Sequence, residues 1–380
     1  MLDEPIPASF FGMHIHHAGG ATPWPAVPFA QWRLWDAYVA WPSLEPQRGH
    51  WHFEVLDSYV ELAEHNGVGL LLPLGLSPEW ASSRPSEKSV YKPGSAAEPA
   101  DIEDWRTYVK TVASRYKGRI HEYEIWNEPN LKMFWTGDVG HMIELTRVAY
   151  EVIHKIDPGA TVVSPSPTTA SGIAWLREFL TSGGGQYADV IGYHFYVTPQ
   201  PPELMVPLIN SVRELMREHD ASRKPLWDTE TGWAGPKPFP SRELAGAYLV
   251  RAHLLAWSSG VLRLYWYAWD NHAWVTLETT ERDNCTLTPA GHAYEVMHGW
   301  LVGARLEECR EEVTHTWTCR LKRGDTTQWI VWNPDGARSI ALMDEPHAKS
   351  VTPLLGVTSR LNKTSIEIGA VPTLISSTEP

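Results

Sequence analysis

Short, nearly continuous apolar runs alternate along most of the chain with longer segments whose apolar positions recur every three or four residues. The runs cover residues 9–17, 29–36, 68–76, 121–126, 161–166, 189–197, 226–231 and 261–269. They read as strands covered on both faces. The amphipathic segments cover residues 53–65, 101–116, 140–156, 173–180, 203–219, 242–258 and 290–301. Start and stop signals frame two of them: Asn66-Gly67 ends the first, and Asp101 precedes and Gly118 follows the second. Eight strands with interleaved helices predict a parallel sheet with right-handed crossovers, closed into a TIM (β/α)8 barrel over residues 9–300. The exception is the first connection, where Pro23, Pro25 and Pro28 leave no room for a long helix.

Beyond Leu301 the period changes to two. Residues 315–321, 328–332, 339–343, 351–355 and 365–368 alternate as strands. They predict a small β-sandwich-like domain over 301–380, joined by an edge strand from residues 1–8. Nothing resembling a flexible linker separates it from the barrel, so rigid packing is expected.

Polar and aromatic residues collect at the C-terminal ends of the predicted strands, where a barrel of this type places its chemistry. The first strand offers His14 and His16, the second Arg33 and Asp36, and Trp80 follows the third. The fourth offers Asn127 and Glu128, the sixth His194 and Tyr196, the seventh Glu230 with Trp233 beyond it, and the eighth Trp266 and Trp269. Pro129 directly after Glu128 cannot donate to a ladder, so pairing should stop there and leave the carboxylate at the tip. Glu230 ends another apolar run. One such glutamate is ordinarily a loop cap or an arginine partner. Two, on different strand tips of one barrel, are what glycoside hydrolysis requires, as an acid and as a nucleophile or base. Glu124 reads instead as a structural ion-pair member, and Asp228 as a deeper carboxylate on the face of Glu230.

Composition narrows the classes. A net charge of −13 disfavours nucleic acid or an anionic membrane as partner, and no apolar run reaches transmembrane length. Most of the 20 tryptophans should be core, with those at strand ends free to stack on sugar rings. Three cysteines give no disulfide framework; Cys309 and Cys319 flank a hairpin, as a pair or as two thiols. His14, His16 and His17 lack a matching carboxylate, so no metal and no cofactor is expected. No leader is seen; a removed one implies a secreted or periplasmic protein, its absence a cytoplasmic one.

The motif Trp126-Asn127-Glu128-Pro129, with Glu230, Trp32-Arg33-Leu34-Trp35-Asp36, His194-Phe195-Tyr196 and the Glu45-Pro-x-x-Gly49, Trp51-x-Phe53 segment, resembles the clan A glycoside hydrolases. Within the clan the chain is most similar to family 39, which holds β-xylosidases, α-L-iduronidases and bacterial exopolysaccharide endoglycosidases. The resemblance implies Glu128 as general acid/base and Glu230 as nucleophile of a retaining enzyme. It implies Asn127 at the sugar 2-OH, and Arg33 and Tyr196 holding Glu230. It further implies His194 lining the site and Trp266 or Trp269 as its floor. The expected substrate is an oligo- or polysaccharide; an exo-acting β-xylosidase and a non-catalytic carbohydrate-binding barrel are the alternatives.

Overall fold

The computed structural model describes residues 4–235, 239–341 and 348–380. Eight parallel strands form one sheet: β1 (Phe11–Met13), β2 (Gln31–Arg33), β3 (Gly69–Leu74), β4 (Glu122–Ile125), β5 (Thr161–Val163), β6 (Ile191–Tyr193), β7 (Leu226–Thr231) and β8 (Val261–Trp266). Their order is β5-β4-β3-β2-β1-β8-β7-β6. A parallel bridge between Val163 and Val190 joins the two ends, so the sheet closes into the expected barrel. Most ladders are shorter than the apolar runs, because the residues past each tip leave the ladder to form the mouth.

The surrounding helices are α1 (Trp41–Leu44), α2 (Glu54–Asn66), α3 (Ile102–Arg115), α4 (Val139–Ile156), α5 (Gly172–Thr181), α6 (Met205–Glu218), α7 (Arg242–Ser258) and α8 (Pro289–Leu301). The side chains of Asp101, Asp138, Ser241 and Thr288 accept first-turn N–H groups of α3, α4, α7 and α8, satisfying donors that a helix start otherwise leaves unpaired. Gly67 ends α2 at φ 65°, a conformation any Cβ would strain. No helix lies between β1 and β2 among the described residues, as the prolines predict. α7 is buried nearly all round because α8 and the C-terminal domain both cover it.

The barrel interior is layered. At the bottom Leu71, Val163, Val190, Trp227 and Tyr265 pack together, and Arg263 lies over the Trp227 ring while pairing with Glu122. Above them sits a polar layer around Arg33 and Glu124, and above that the mouth.

The C-terminal domain is antiparallel. β9 (Arg305–Glu311), β10 (Trp317–Arg323), β11 (Thr326–Trp332), β13 (Ser350–Pro353), β14 (Ser359–Arg360) and β16 (Thr373–Ser376) form one sheet; β12 (Arg338–Ala341) and β15 (Ser365–Ile368) form a second. Trp329, Val331, Ile368 and Ile375 fill the space between. Cys309 and Cys319 stand opposite each other in the β9–β10 ladder and form a disulfide. On the barrel side, the Trp332 indole donates to Glu203 at 2.7 Å, and Glu203 also accepts from buried Arg251 at 2.8 Å. Arg323 donates to the last carbonyls of α8 through Gly299 and Trp300. Residues 342 and 343, expected to extend β12, lie outside the described residues.

Of the strand expected over residues 1–8, residues 1–3 lie outside the described residues, and the rest departs from expectation. Residues 4–8 form no strand; Ile6 exchanges backbone hydrogen bonds with Gly303 and Ala304, and a 3-10 turn at Ala8–Phe10 leads into β1. Pro5 and Pro7 remove the alternate N–H groups an edge strand would need.

Candidate active site

The mouth is organised by one buried arginine. Arg33, at the end of β2, is wholly buried. Its Nε donates to Glu124 Oε2 at 2.5 Å, one Nη to Glu230 Oε2 at 2.8 Å, and the other Nη to Asn127 Oδ1 at 2.7 Å. The fork geometry lets one guanidinium reach β4 and β7 together. Burial works against the Arg33 charge, but Glu124 and Glu230 more than offset it, so its pKa is raised. His14 Nε2 lies 3.1 Å from the same guanidinium, and its Nδ1 lies 3.2 Å from the Trp266 carbonyl. Arginine can only donate, so His14 accepts at Nε2, donates from Nδ1 and is neutral. Burial, then Arg33, pushes its pKa well down.

Glu124 takes the structural role expected of it. Besides Arg33 it accepts from Ser166 at 2.5 Å and Thr229 at 2.7 Å, all inside the barrel.

Glu128 reaches the mouth through a strained tip. Trp126 adopts φ 60° and Glu128 φ 42°, left-handed values that non-glycine residues hold only where the surroundings enforce them. The enforcing contacts are present: the Trp126 indole donates to the Phe134 carbonyl at 2.8 Å, and the Glu128 N–H donates to the Ser166 carbonyl at 3.0 Å. Pro129 then ends the pairing. Glu230 depends on a different irregularity. β7 carries one extra residue between Asp228 and Thr231 relative to β8. This bulge breaks strict alternation, so that both Thr229 and Glu230 turn inward, onto Glu124 and Arg33 respectively. Asp228 is fully buried and accepts the Phe195 N–H at 3.3 Å, outside the Arg33 network.

A Glu128 oxygen, a His194 ring nitrogen and a Glu230 oxygen all lie within 4.8 Å of one another. His194 Nδ1 is 2.9 Å from Glu128 Oε1, and the Tyr196 hydroxyl donates to Glu230 Oε1 at 3.0 Å. Burial pushes both carboxyls up to about 7. Two charges this close in a dry site cannot both persist near neutral pH. Glu230 receives a guanidinium N–H and a phenol O–H, whereas Glu128 faces an imidazole that burial holds neutral, at about 4. These contacts favour the proton on Glu128 and the charge on Glu230. This trio is also the spacing of a cation site among the described residues, but Arg33 already supplies the positive charge there.

The other expected residues divide. Asp36 stands at the rim at φ 56° and accepts from the Tyr91 hydroxyl at 2.5 Å and the Tyr267 hydroxyl at 2.6 Å. His16 packs against Tyr267 and lies 3.7 Å from Asp270. The indoles fall elsewhere. Trp266 is fully buried, stacked between Trp233 and His253 in the layer between sheet and helices. Trp233 donates to the Gln200 carbonyl, and Trp269 to that of Asn284. Trp80 donates to the Glu45 carbonyl beneath Arg48, away from the carboxyls. These four tryptophans are corrections to the expected substrate set. Successive strand residues point to opposite faces, so with Trp266 turned outward it is Tyr267 that faces the mouth. Glu45 is buried and accepts from the Trp41 indole and the Gly49 N–H.

Sequence reasoning missed Tyr267, Tyr91 and Trp274. Trp274, half exposed on the loop after β8, meets Tyr196 and Tyr267 edge-on. Asp270 was missed too; it accepts the N–H groups of His16 and His17 and fixes the loop after β1.

Residues 34–268 match the family described as Glycosyl hydrolases family 39. A β-xylosidase of Caldicellulosiruptor saccharolyticus is 31% identical over 151 residues, 38% of this chain and 30% of that protein. A β-xylosidase of Geobacillus stearothermophilus is 26% identical over 225 residues, 52% of this chain and 44% of that protein. The chain thus spans less than half the length of these relatives. A family 39 glycoside hydrolase from the gut symbiont Bacteroides cellulosilyticus WH2 shares the fold at TM-score 0.78 and 18% identity, covering 98% of this chain and 81% of that one.

Proposed function

The chain belongs to glycoside hydrolase family 39, and on that footing we propose that it is a retaining glycosidase acting on β-linked oligo- or polysaccharides. The observation that supports this most is the approach of Glu128 and Glu230 oxygens to within 4.8 Å. Retaining enzymes hold their carboxyls about 5–5.5 Å apart, whereas inverting ones need about 6.5–9.5 Å to admit a water.

In the proposed mechanism Glu230, ionised beside Arg33 and Tyr196, attacks the anomeric carbon. Glu128 gives its proton to the departing glycosidic oxygen. A glycosyl ester on Glu230 results. Glu128, now a carboxylate, takes a proton from water, which attacks the same carbon and frees Glu230. Asn127, held through its Oδ1 by Arg33, offers its amide N–H groups to the sugar 2-OH. The rise of the Glu128 pKa to about 7 suits a group that must both give and recover a proton near neutrality. The intact acid, base and charge-holding set argues against a barrel that only binds sugar.

Two of the matched relatives are β-xylosidases and a third is an endo-1,4-β-xylanase; the first two make an exo-acting xylosidase the second reading. An activated 2-fluoro glycoside and mass spectrometry test the mechanism: a glycosyl adduct on the peptide carrying Glu230 is expected. An adduct elsewhere, or turnover near the wild-type rate in Glu230→Gln, refutes the nucleophile assignment.

A further inference from the structure

A cleft of about 500 Å³ opens beside the carboxyl pair, between the loops that follow β1, β2, β3 and β8. Its lining includes His17, Asp36, Tyr38, Tyr91, Lys92 and His272. That volume falls within the roughly 300–1,000 Å³ of small-molecule sites. Asp36 links the cleft wall to the mouth: it lines the cleft beside Tyr91, and its carboxylate takes the hydroxyls of Tyr91 and of mouth-facing Tyr267.

Its place on the barrel fixes which part of a glycan it meets. Glu128 ends β4 and pairs with His194, just past β6. An acid at that position protonates the leaving oxygen, so the leaving portion lies over the β4–β6 side. The retained portion runs the opposite way, over β8, β1 and β2, where the cleft opens. The lining suits a sugar ring, with apolar faces beside groups that hydrogen-bond. Tyr38 is 64% exposed, sits at φ 62° and leans on His17 with ring centroids 5.6 Å apart. A large exposed ring held by a left-handed backbone is not explained by packing. Lys92 is balanced by Asp36 and Asp270 on the same walls, which suits a neutral pyranose better than a uronate.

We propose that this cleft binds the sugar residue preceding the one attacked by Glu230, so that the protein cuts within chains of neutral pyranoses and does not trim single residues. The inference rests on the retaining-hydrolase reading above.

The test uses reducing-end-labelled ladders of β-linked xylo-, gluco- and manno-oligosaccharides, beside the matching aryl monoglycosides. The shortest product from the non-reducing end is expected to contain two residues. Tyr38→Gly keeps the left-handed backbone without strain. It should lower kcat/KM on the longer substrates at least about tenfold more than on the aryl monoglycoside. Tyr38→Phe, which keeps the ring, should not. Release of single residues as the first product, or an equal effect of Tyr38→Gly on long and short substrates, overturns the cleft assignment alone. No cleavage of any ladder together with no glycosyl adduct on Glu230 overturns the hydrolase reading, and this inference with it.

Discussion

Replacing Glu128 by glutamine should flatten the dependence of stability on pH. The amide keeps the size of the side chain and a contact to His194, but it cannot titrate. Burial raises Glu128 from its ordinary 4.5 to about 7, a preference for the protonated form worth ~3 kcal/mol. Between these values the folded protein holds a proton that the unfolded chain has released. Stability from this source is therefore complete below about 4.5 and is lost as pH rises through 7. Glu230 is raised to about 7 as well, in part by the Glu128 charge, so the substitution also relieves its neighbour. Urea unfolding at pH 5 and pH 8, followed by tryptophan fluorescence, measures the difference between wild type and Glu128→Gln. The variant should gain on wild type by ~3 kcal/mol between the two pH values. Titrating groups other than Glu128 and Glu230 are common to both proteins and cancel. Parallel stability profiles would refute the claim that Glu128 holds a buried proton.

Three further outcomes follow from the contacts. Arg33→Lys keeps a charge but cannot serve Glu124, Glu230 and Asn127 together; each lost charged hydrogen bond is worth about 1.5–3 kcal/mol, so steady-state kinetics should show kcat/KM down roughly ten- to a hundredfold. Tyr267→Phe should lower kcat/KM with little change in melting, whereas Trp266→Phe should lower the melting temperature with little change in KM, because only Tyr267 faces the mouth. Glu203→Ala leaves Arg251 buried without its carboxylate, and urea unfolding should register a loss of about 3–5 kcal/mol.

The barrel was legible because its two signals are local. Apolar runs and helical periodicity, with punctuation such as Asp101 and Gly67, locate the elements without knowledge of their partners. Glu128 was legible for the same reason: Pro129 announces where the ladder must end. Glu230 was found as the end of an apolar run, but strict alternation cannot explain why it turns inward beside Thr229. The bulge that permits this appears only when β7 is set against β8. The same limit misplaced the aromatic floor. Residues 265, 266, 267 and 269 are all aromatic, and which of them meets the mouth depends on how the chain leaves the β8 ladder. Tyr91 lies 55 residues from Asp36, in a proline-rich loop without period. The tryptophans misled through their number: fifteen of the 20 are buried, and Trp274 alone is exposed. Residues 4–8 form no strand because Pro5 and Pro7 cannot donate to a ladder.

Everything chemical here turns on two glutamates dividing one displacement and its reverse. Proton NMR of the anomeric region during the first minutes of hydrolysis of a β-linked substrate tests this most directly. A product that forms first as the β-anomer, and only later equilibrates, is the predicted result. First appearance of the α-anomer would mean that water attacks the sugar in a single step, and would contradict the account.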